Sequence, residues 1–429
     1  MVALSANSDG NPFTQTATVS NKTAHIAPRV GMVVFSCYPD DPRVRREAEA
    51  LVVSGMHVEV ICLQQPGSTR KDLVNGVSVF RIPITRKRGS PARYLWEYAM
   101  FLFLAGYKLF QRNLGSKYDV VHVHNMPDVL VFSALVPRMS GAKVILDLHD
   151  PMPEVFMAKY SIPSGHAMIR ALLFLERKSI SFADVILTPN AAFQTLFIER
   201  GCPKEKIHVV MNVPDPAIFH RTNGTPSRVH SRSSGEFILM YHGTVVERHG
   251  LDTAVEAVAQ VRDTIKNIAF HVFGDGDFVD EFKRRVKELG VQDVVTYHGQ
   301  VGIEAIAATI GHVDVGIIPN KKSVFTDINF PTRIFEYLSK GKPVVAPRTR
   351  GIKDYFREDE IEFFEPGDPS DLATAILRIH HDPERSKAVV VKGMRVYERC
   401  SWPLEKARFV NVVNSLLGRK CANGNSQGC

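Results

Sequence analysis

Cysteine is scarce and scattered: six residues in 429, at positions 37, 62, 202, 400, 421 and 429, with no CxxC or CxxxC spacing. That pattern excludes a disulfide-stapled scaffold and a cysteine-based zinc module, and it suits a reducing cytosol. Long apolar runs are also missing. The most apolar stretch, Tyr94–Phe110 (YLWEYAMFLFLAGYKLF), contains Glu97 and Lys108 and falls short of the about 20 apolar residues that a bilayer span needs. The first residues have neither the basic nor the apolar region of a secretory signal. Residues 1–29 read as a polar tail, so the sequon Asn21-Lys22-Thr23 is taken as coincidence. With Gly 29, Pro 25 and 45% hydrophobic residues, the chain is neither collagen-like nor disordered. No repeat of solenoid period is visible.

What is present is enough apolar sequence for two to three domains, each with its own core. Lys+Arg 53 against Asp+Glu 45 leaves a net charge of +8, which favours anionic partners. Nucleic acid is not among those expected, because the cations are dispersed and no recognition motif appears. The Tyr94–Phe110 stretch follows the basic run Arg86-Lys87-Arg88. Two readings of it stay open: a core helix, or a helix whose aromatic face rests on an anionic membrane surface.

Apolar runs alternate with helical patterns along the chain. Val30–Ser36 predicts a strand, Arg43–Ser54 a helix and His57–Leu63 a second strand. Strands follow at Val120–His124, Lys143–Leu148, Val185–Thr188 and Ile207–Met211, with helices from Asp128, over Ala167–Phe182 and over Ala191–Arg200. Residues 220–235, rich in Ser, Arg, Gly and Thr, read as a linker. Beyond it strands are expected at Phe237–Tyr241, Ile268–Phe273, Val294–Tyr297, Val313–Ile318 and Pro343–Ala346, with helices between them. The fold class is therefore α/β, with two doubly wound parallel-sheet domains at 30–219 and 236–400 facing across a cleft. A helix within 401–420, expected to pack back on the first domain, and a tail at 421–429 complete the chain.

In such folds ligands sit at the carboxyl ends of the strands. Gly243, Gly274 and Gly299 each follow a strand of the second domain and line one edge of that cleft. Gly243-Thr244 opens a turn that reaches Arg248 and ends at Gly250, where a helix starts; backbone amides and Arg248 there attract phosphate. The run Asn329–Ala346 (NFPTRIFEYLSKGKPVVA) starts a helix near Pro331. It carries Arg333 and Glu336 in the i, i+3 relation on one face. A carboxylate can hold a ribose diol while Arg333 and free amides hold a diphosphate.

At this point the chain resembles the family 4 glycosyltransferases of GT-B fold, from about Val30 to about Leu417. In the first half the resemblance lies in DPRVRREAEALVVSG, YDVVHVHN, AKVILDLHDPMPEVF, ADVILTPN and KIHVVMNVPDPAIF. The second half contributes YHGTVVERHGLDTAVEA, FHVFGDGD, VTYHG, DVGIIP and PTRIFEYLSKGKPVVA, in order. The resemblance implies a retaining, metal-independent transfer of a hexosyl group from a nucleoside-diphosphate sugar, with no cofactor. The expected acceptor is a glycan or a polyprenyl-diphosphate-linked glycan in cell-surface polysaccharide or glycolipid assembly. The expected location is the cytoplasm, peripheral on the cytoplasmic face of the membrane. By the same resemblance His149, Arg248 and Glu336 form the catalytic set. Gly243, Thr244, Gly274, Gly299, Asn329 and Arg333 join them around the donor, and His124, Asp150 and Glu154 stand on the acceptor side. No metal ligands are expected.

Three departures stand out. Ile328 occupies the place of the family's first glutamate, leaving Asp327 or Asn329 to bind a sugar hydroxyl. Thr244 and His249 replace two cations, so phosphate charge rests on Arg248 and Arg333, as in the subset with a Pro-x-Lys/Arg-x-Phe-Glu-Tyr stretch. The glycine-rich first loop is replaced by Ser36–Arg43. A nucleotide-sugar epimerase and a non-catalytic nucleotide-sugar-binding protein are the alternatives. Specificity contacts are expected in the loops Gln64–Asn75 and Met152–Pro163.

Overall fold

A computed structural model describes residues 27–84, 91–219 and 235–419. The basic run Arg86–Arg88, residues 220–234 of the expected linker and the tail 421–429 lie outside the described residues.

Two parallel sheets organise the chain. The first contains β1 (Arg29–Cys37), β2 (His57–Leu63), β3 (Lys71–Val74), β4 (Val77–Ile82), β5 (Val120–His124), β6 (Lys143–Asp147), β7 (Val185–Thr188) and β8 (Ile207–Val209). Its order is β3-β4-β2-β1-β5-β6-β7-β8, parallel except for the β3–β4 pair. The second holds β9 (Phe237–His242), β10 (Ile268–Phe273), β11 (Val295–Gly299), β12 (Val315–Ile317), β13 (Val344–Pro347) and β14 (Glu362–Phe364), in the order β11-β10-β9-β12-β13-β14. These are the two Rossmann-like halves of a GT-B fold.

Strand alternation explains why each sheet carries two cores. On β1, Val33 and Phe35 face a cluster with Leu146 and Phe193, while Val30, Met32 and Val34 face one with Leu51 and Val60. On β9, Leu239 and Tyr241 face one side, Ile238 and Met240 the other.

Several elements differ from the expectation. Part of the supposed loop Gln64–Asn75 is β3, hairpinned to β4, and most of Met152–Pro163 is the helix Met152–Tyr160. The helices Pro369–His381 and Pro383–Arg399 and the short β14 carry no strong apolar run and escaped the periodicity reading. Pro331 stands outside its helix, whose cap is Thr332.

The Tyr94–Phe110 stretch forms part of the helix Pro91–Gly115, which has one apolar face buried and another exposed. Phe101, Ala105 and Leu109 are buried. The opposite face exposes Trp96 (59%), Phe103 (70%), Tyr107 (52%) and Leu114 (72%), spaced at helical periods. Leu135 and Met139 of the adjacent helix Leu135–Met139 are exposed as well. No described helix is long and apolar enough to cross a membrane.

The final helix, Trp402–Leu416, follows the second sheet but packs on the first. Phe409 and Val413 are fully buried in the cluster of β1 and β2 side chains. Buried Glu405 accepts the Met211 N–H at 2.8 Å, and Arg46 stacks over Trp402 at 5.2 Å. Because Phe409 has no exposed surface, Phe409→Ala is expected to cost about 3–5 kcal/mol, read by urea denaturation. A loss below about 1 kcal/mol would mean that this packing contributes little.

Candidate active site

The donor side is built where β9, β10 and β11 end together. Gly243 has φ +129° and its N–H donates to the Phe273 carbonyl at 3.0 Å. Gly274 has φ +133°, and a Cβ there would lie 1.8 Å from the Gly243 carbonyl oxygen, closer than any side chain allows. The Gly274 N–H donates to the Gly299 carbonyl at 2.7 Å. The three glycines of the sequence reading thus form one continuous backbone edge.

Arg333 and Glu336 stand over that edge but do not pair with one another. Arg333 Nη1 donates to the His242 carbonyl at 2.7 Å, and its guanidinium stacks on Tyr241 at 4.7 Å. Glu336 Oε2 lies 2.5 Å from His242 Nε2. The Tyr337 hydroxyl donates to the Met240 carbonyl at 2.8 Å and lies 2.9 Å from His242 Nδ1. The imidazole thus sits between the Tyr337 hydroxyl and the Glu336 carboxylate and orients the carboxylate. His242 was missed in the sequence; it directly precedes Gly243, and only the tertiary contact with Glu336 reveals it.

Arg248 lies in a single turn at Glu247–His249. Its Nε is buried with no hydrogen-bond partner, and its guanidinium sits 6.0 Å from the Phe325 ring. Thr244 is exposed; its carbonyl accepts from the Tyr241 hydroxyl at 2.7 Å. That carbonyl also lies 2.7 Å from His249 Nδ1. Burial, then the charges of Arg333 and Arg248, lowers His249 to about 3, so it is neutral. Asn320, also missed, is buried beside this turn with Oδ1 unpartnered. Asn329 is half-buried in the loop before the 333–339 helix. Ile328 is buried and belongs with Phe325 to the first domain's apolar cluster, where the Phe325 ring lies 6.2 Å from that of Phe193. The Thr332 hydroxyl donates to the Asn212 carbonyl (3.2 Å) and the Ala191 N–H to Tyr355 Oη (2.9 Å), so the two halves meet in direct contact.

Across the cleft, His149 is held by its backbone N–H, which donates to Asn125 Oδ1 at 2.8 Å; Asn125 also donates to the Asp150 carbonyl at 2.8 Å. Burial and the Arg43 guanidinium push His149 down to about 3, so it faces the cleft neutral. Burial pushes the Asp150 carboxyl up to about 6, against the pull of Arg43 and Arg248. Two acceptor-side expectations are corrected. His124 is fully buried, stacked behind His149 with Nδ1 3.0 Å from its Nε2, and cannot touch an acceptor. Glu154 is buried in an ion pair with Arg200, which also binds Glu176 at 3.0 Å, a structural network.

The comparisons with known proteins agree with this geometry. Residues 41–213 match the Glycosyl transferase 4-like domain and residues 225–394 match Glycosyl transferases group 1, together most of the chain. The chain belongs to the glycosyltransferases that join a 4-like first domain to a group 1 second domain, and its fold is GT-B. It is 25% identical over 333 residues to sulfoquinovosyl transferase SQD2 of Arabidopsis thaliana, covering 76% of this chain and 62% of that protein. It is 24% identical over 353 residues to 2-deoxystreptamine glucosyltransferase of Streptomyces kanamyceticus, covering 80% and 89%. Among solved structures it is similar to a sucrose-phosphate synthase of Thermosynechococcus elongatus (TM-score 0.75, 19% identity, 91% of this chain and 99% of that one). It is also similar to Anabaena HepE in complex with UDP (TM-score 0.65, 16% identity, 90% and 100%).

Because Asp150 ionises near pH 6 within reach of Arg248, its carboxylate competes with a bound anion once charged. Affinity for UDP should therefore fall more steeply from about pH 5 to about pH 7 in the native protein than in Asp150→Asn. Calorimetry across that range checks this; identical slopes would remove Asp150 from the donor's surroundings.

Proposed function

We propose that the chain transfers a hexosyl group from a nucleoside-diphosphate sugar to a lipid-borne glycan, with retention of configuration and without a metal at the diphosphate. The observation that carries this reading is the unpartnered, buried Nε of Arg248 beside the glycine edge and Arg333. A buried guanidinium N–H left without an acceptor is costly in the free protein and is satisfied by a phosphate. Glu336, oriented by His242, accepts the ribose hydroxyls. Arg248 and Arg333 hold the diphosphate and neutralise the charge that gathers on it as the glycosidic bond breaks, the largest source of acceleration in such a cleft. Neutral His149 donates or accepts a hydrogen bond at the transferred sugar without bringing charge. The departing phosphate accepts the acceptor's proton on the same face, so no carboxylate base is required. Arg333 and Glu336 stand in the run Pro331–Tyr337, which supports assignment to the subset with the Pro-x-Lys/Arg-x-Phe-Glu-Tyr stretch.

The acceptor reading draws on the relatives, several of whose names include a glycolipid or cell-surface polysaccharide. It also draws on the exposed Trp96, Phe103, Tyr107 and Leu114 stripe, which suits the interface of an anionic bilayer on the cytoplasmic side.

Glu336→Ala is expected to raise the donor KM roughly 10- to 100-fold, the loss of hydrogen bonds to a charged group. Arg248→Ala lowers kcat roughly 100-fold with a smaller change in KM. Steady-state kinetics over a panel of nucleotide sugars measures both. Donor binding with no turnover against lipid-linked acceptors would instead favour a binding protein, in line with Ile328; donor isomerisation without acceptor would indicate an epimerase. Sedimentation with phosphatidylglycerol vesicles should recover the native chain and lose most of it in the double variant Trp96→Glu, Phe103→Glu. Equal recovery of both would detach the stripe from the membrane.

A further inference from the structure

Beneath His149 lies a group of side chains whose polar atoms converge without closing on one another. Glu47 from the helix Pro42–Val53, His122 and His124 from β5, and Asp147 from β6 each present one ligand-type atom, all within 4.8 Å of one another and all buried. The two histidines are two residues apart on a strand and so share a face. His122 Nε2 lies 3.4 Å from Asp147 Oδ2 and 3.8 Å from Glu47 Oε2; His124 Nε2 lies 4.0 Å from Glu47 Oε2. His122 Nδ1 and Nε2, His124 Nε2 and Glu47 Oε2 have no hydrogen-bond partner.

Buried polar atoms without partners are uncommon, and three at one point, His122 Nε2, His124 Nε2 and Glu47 Oε2, call for an occupant. Asp147 Oδ2, 3.4 Å from His122 Nε2 and 3.3 Å from His124 Nδ1, is within reach of a long hydrogen bond, but at 3.8 and 4.0 Å Glu47 Oε2 is too far from either ring to share a proton. These separations approach the edges of a coordination shell: bonds of about 2.0–2.2 Å in tetrahedral geometry set neighbouring ligand atoms roughly 3.3–3.6 Å apart. We propose that Glu47, His122, His124 and Asp147 form a closed site for one divalent transition-metal ion of the zinc class.

The donor set of two imidazoles and two carboxylates suits zinc or cobalt over magnesium and calcium, which prefer oxygen alone. Two carboxylates balance a dication, while the neighbouring guanidinium groups have other partners, Arg43 in Asp41 at 3.4 Å and Arg46 in Asn212 Oδ1 at 2.6 Å. Four protein ligands leave no open position, so the ion is structural and distinct from the Arg248 and Arg333 pair. Glu47 and Asp147 line a narrow crevice with Arg43, Arg46 and Asn212, which provides an entry path. The ion ties the first helix to β5 and β6. Ligation through Nε2 leaves the His124 proton on Nδ1, directed at His149 Nε2 at 3.0 Å, so the site also fixes the ring that faces the cleft.

The test is elemental analysis of the full chain, purified without chelator or metal-affinity steps. About one zinc per chain is expected, dropping more than about tenfold in His122→Gln and in Asp147→Asn. Should either variant fail to fold, the native chain suffices. Stripped with a strong chelator, it should bind one equivalent of added zinc with a rise in Tm, and one of cobalt with the visible d–d bands of a tetrahedral site. Absence of stoichiometric zinc together with no saturable zinc binding overturns the proposal. Retention of a full equivalent in both variants also overturns it, since the ion would then lie on other side chains.

Discussion

The close approach of backbone at Gly243 and Gly274 is the constraint on which the donor side depends. With 1.8 Å between a notional Cβ on Gly274 and the Gly243 carbonyl, no side chain fits. The ends of β9, β10 and β11 therefore form a bare edge of peptide groups. That edge lets Arg333 lie across Gly243 and reach the His242 carbonyl, and it leaves room for Glu336 to meet the His242 ring. A bulkier residue at either glycine would displace the arginine and the carboxylate together, because both are referenced to one histidine.

The two faces of the cleft are made by different means. On the second domain's side, cations and a carboxylate held by His242 gather at the ends of parallel strands. On the opposite side, a neutral histidine is backed by a column of buried imidazoles and carboxylates reaching from β6 and β5 to the first helix. Ile328 and Phe325 join the halves by lodging in the first domain's core, and the terminal helix adds a second tie through Phe409. The position that would carry a sugar-binding glutamate thus serves as an apolar latch between domains.

Much of the fold was legible because parallel strands buried on both faces read as continuous apolar runs, and β1, β2, β5 and β10 are such runs. The β3–β4 hairpin and the helices at 369–399 were not, since an edge hairpin and half-exposed helices carry weaker patterns. The proximity of Gly243, Gly274, Arg248, Arg333 and Glu336 was legible for a related reason: they sit at strand ends and in short turns, where local spacing implies nearness. His242 and Asn320 were not, because their roles come from partners distant in the chain. His124 and Glu154 were misassigned to the acceptor, since burial cannot be read from a polar residue's place in a motif.

By itself the sequence determined two α/β units, a phosphate-favouring glycine edge and a carboxylate one helical turn past an arginine, all properties of local period and spacing. Only the tertiary structure decided that Ile328 seals the domains, that His242 orients Glu336, and that His122, His124, Glu47 and Asp147 converge under His149. Those outcomes depend on which faces of separate elements meet when the sheets are covered, and on what burial then does to polar atoms that find no water.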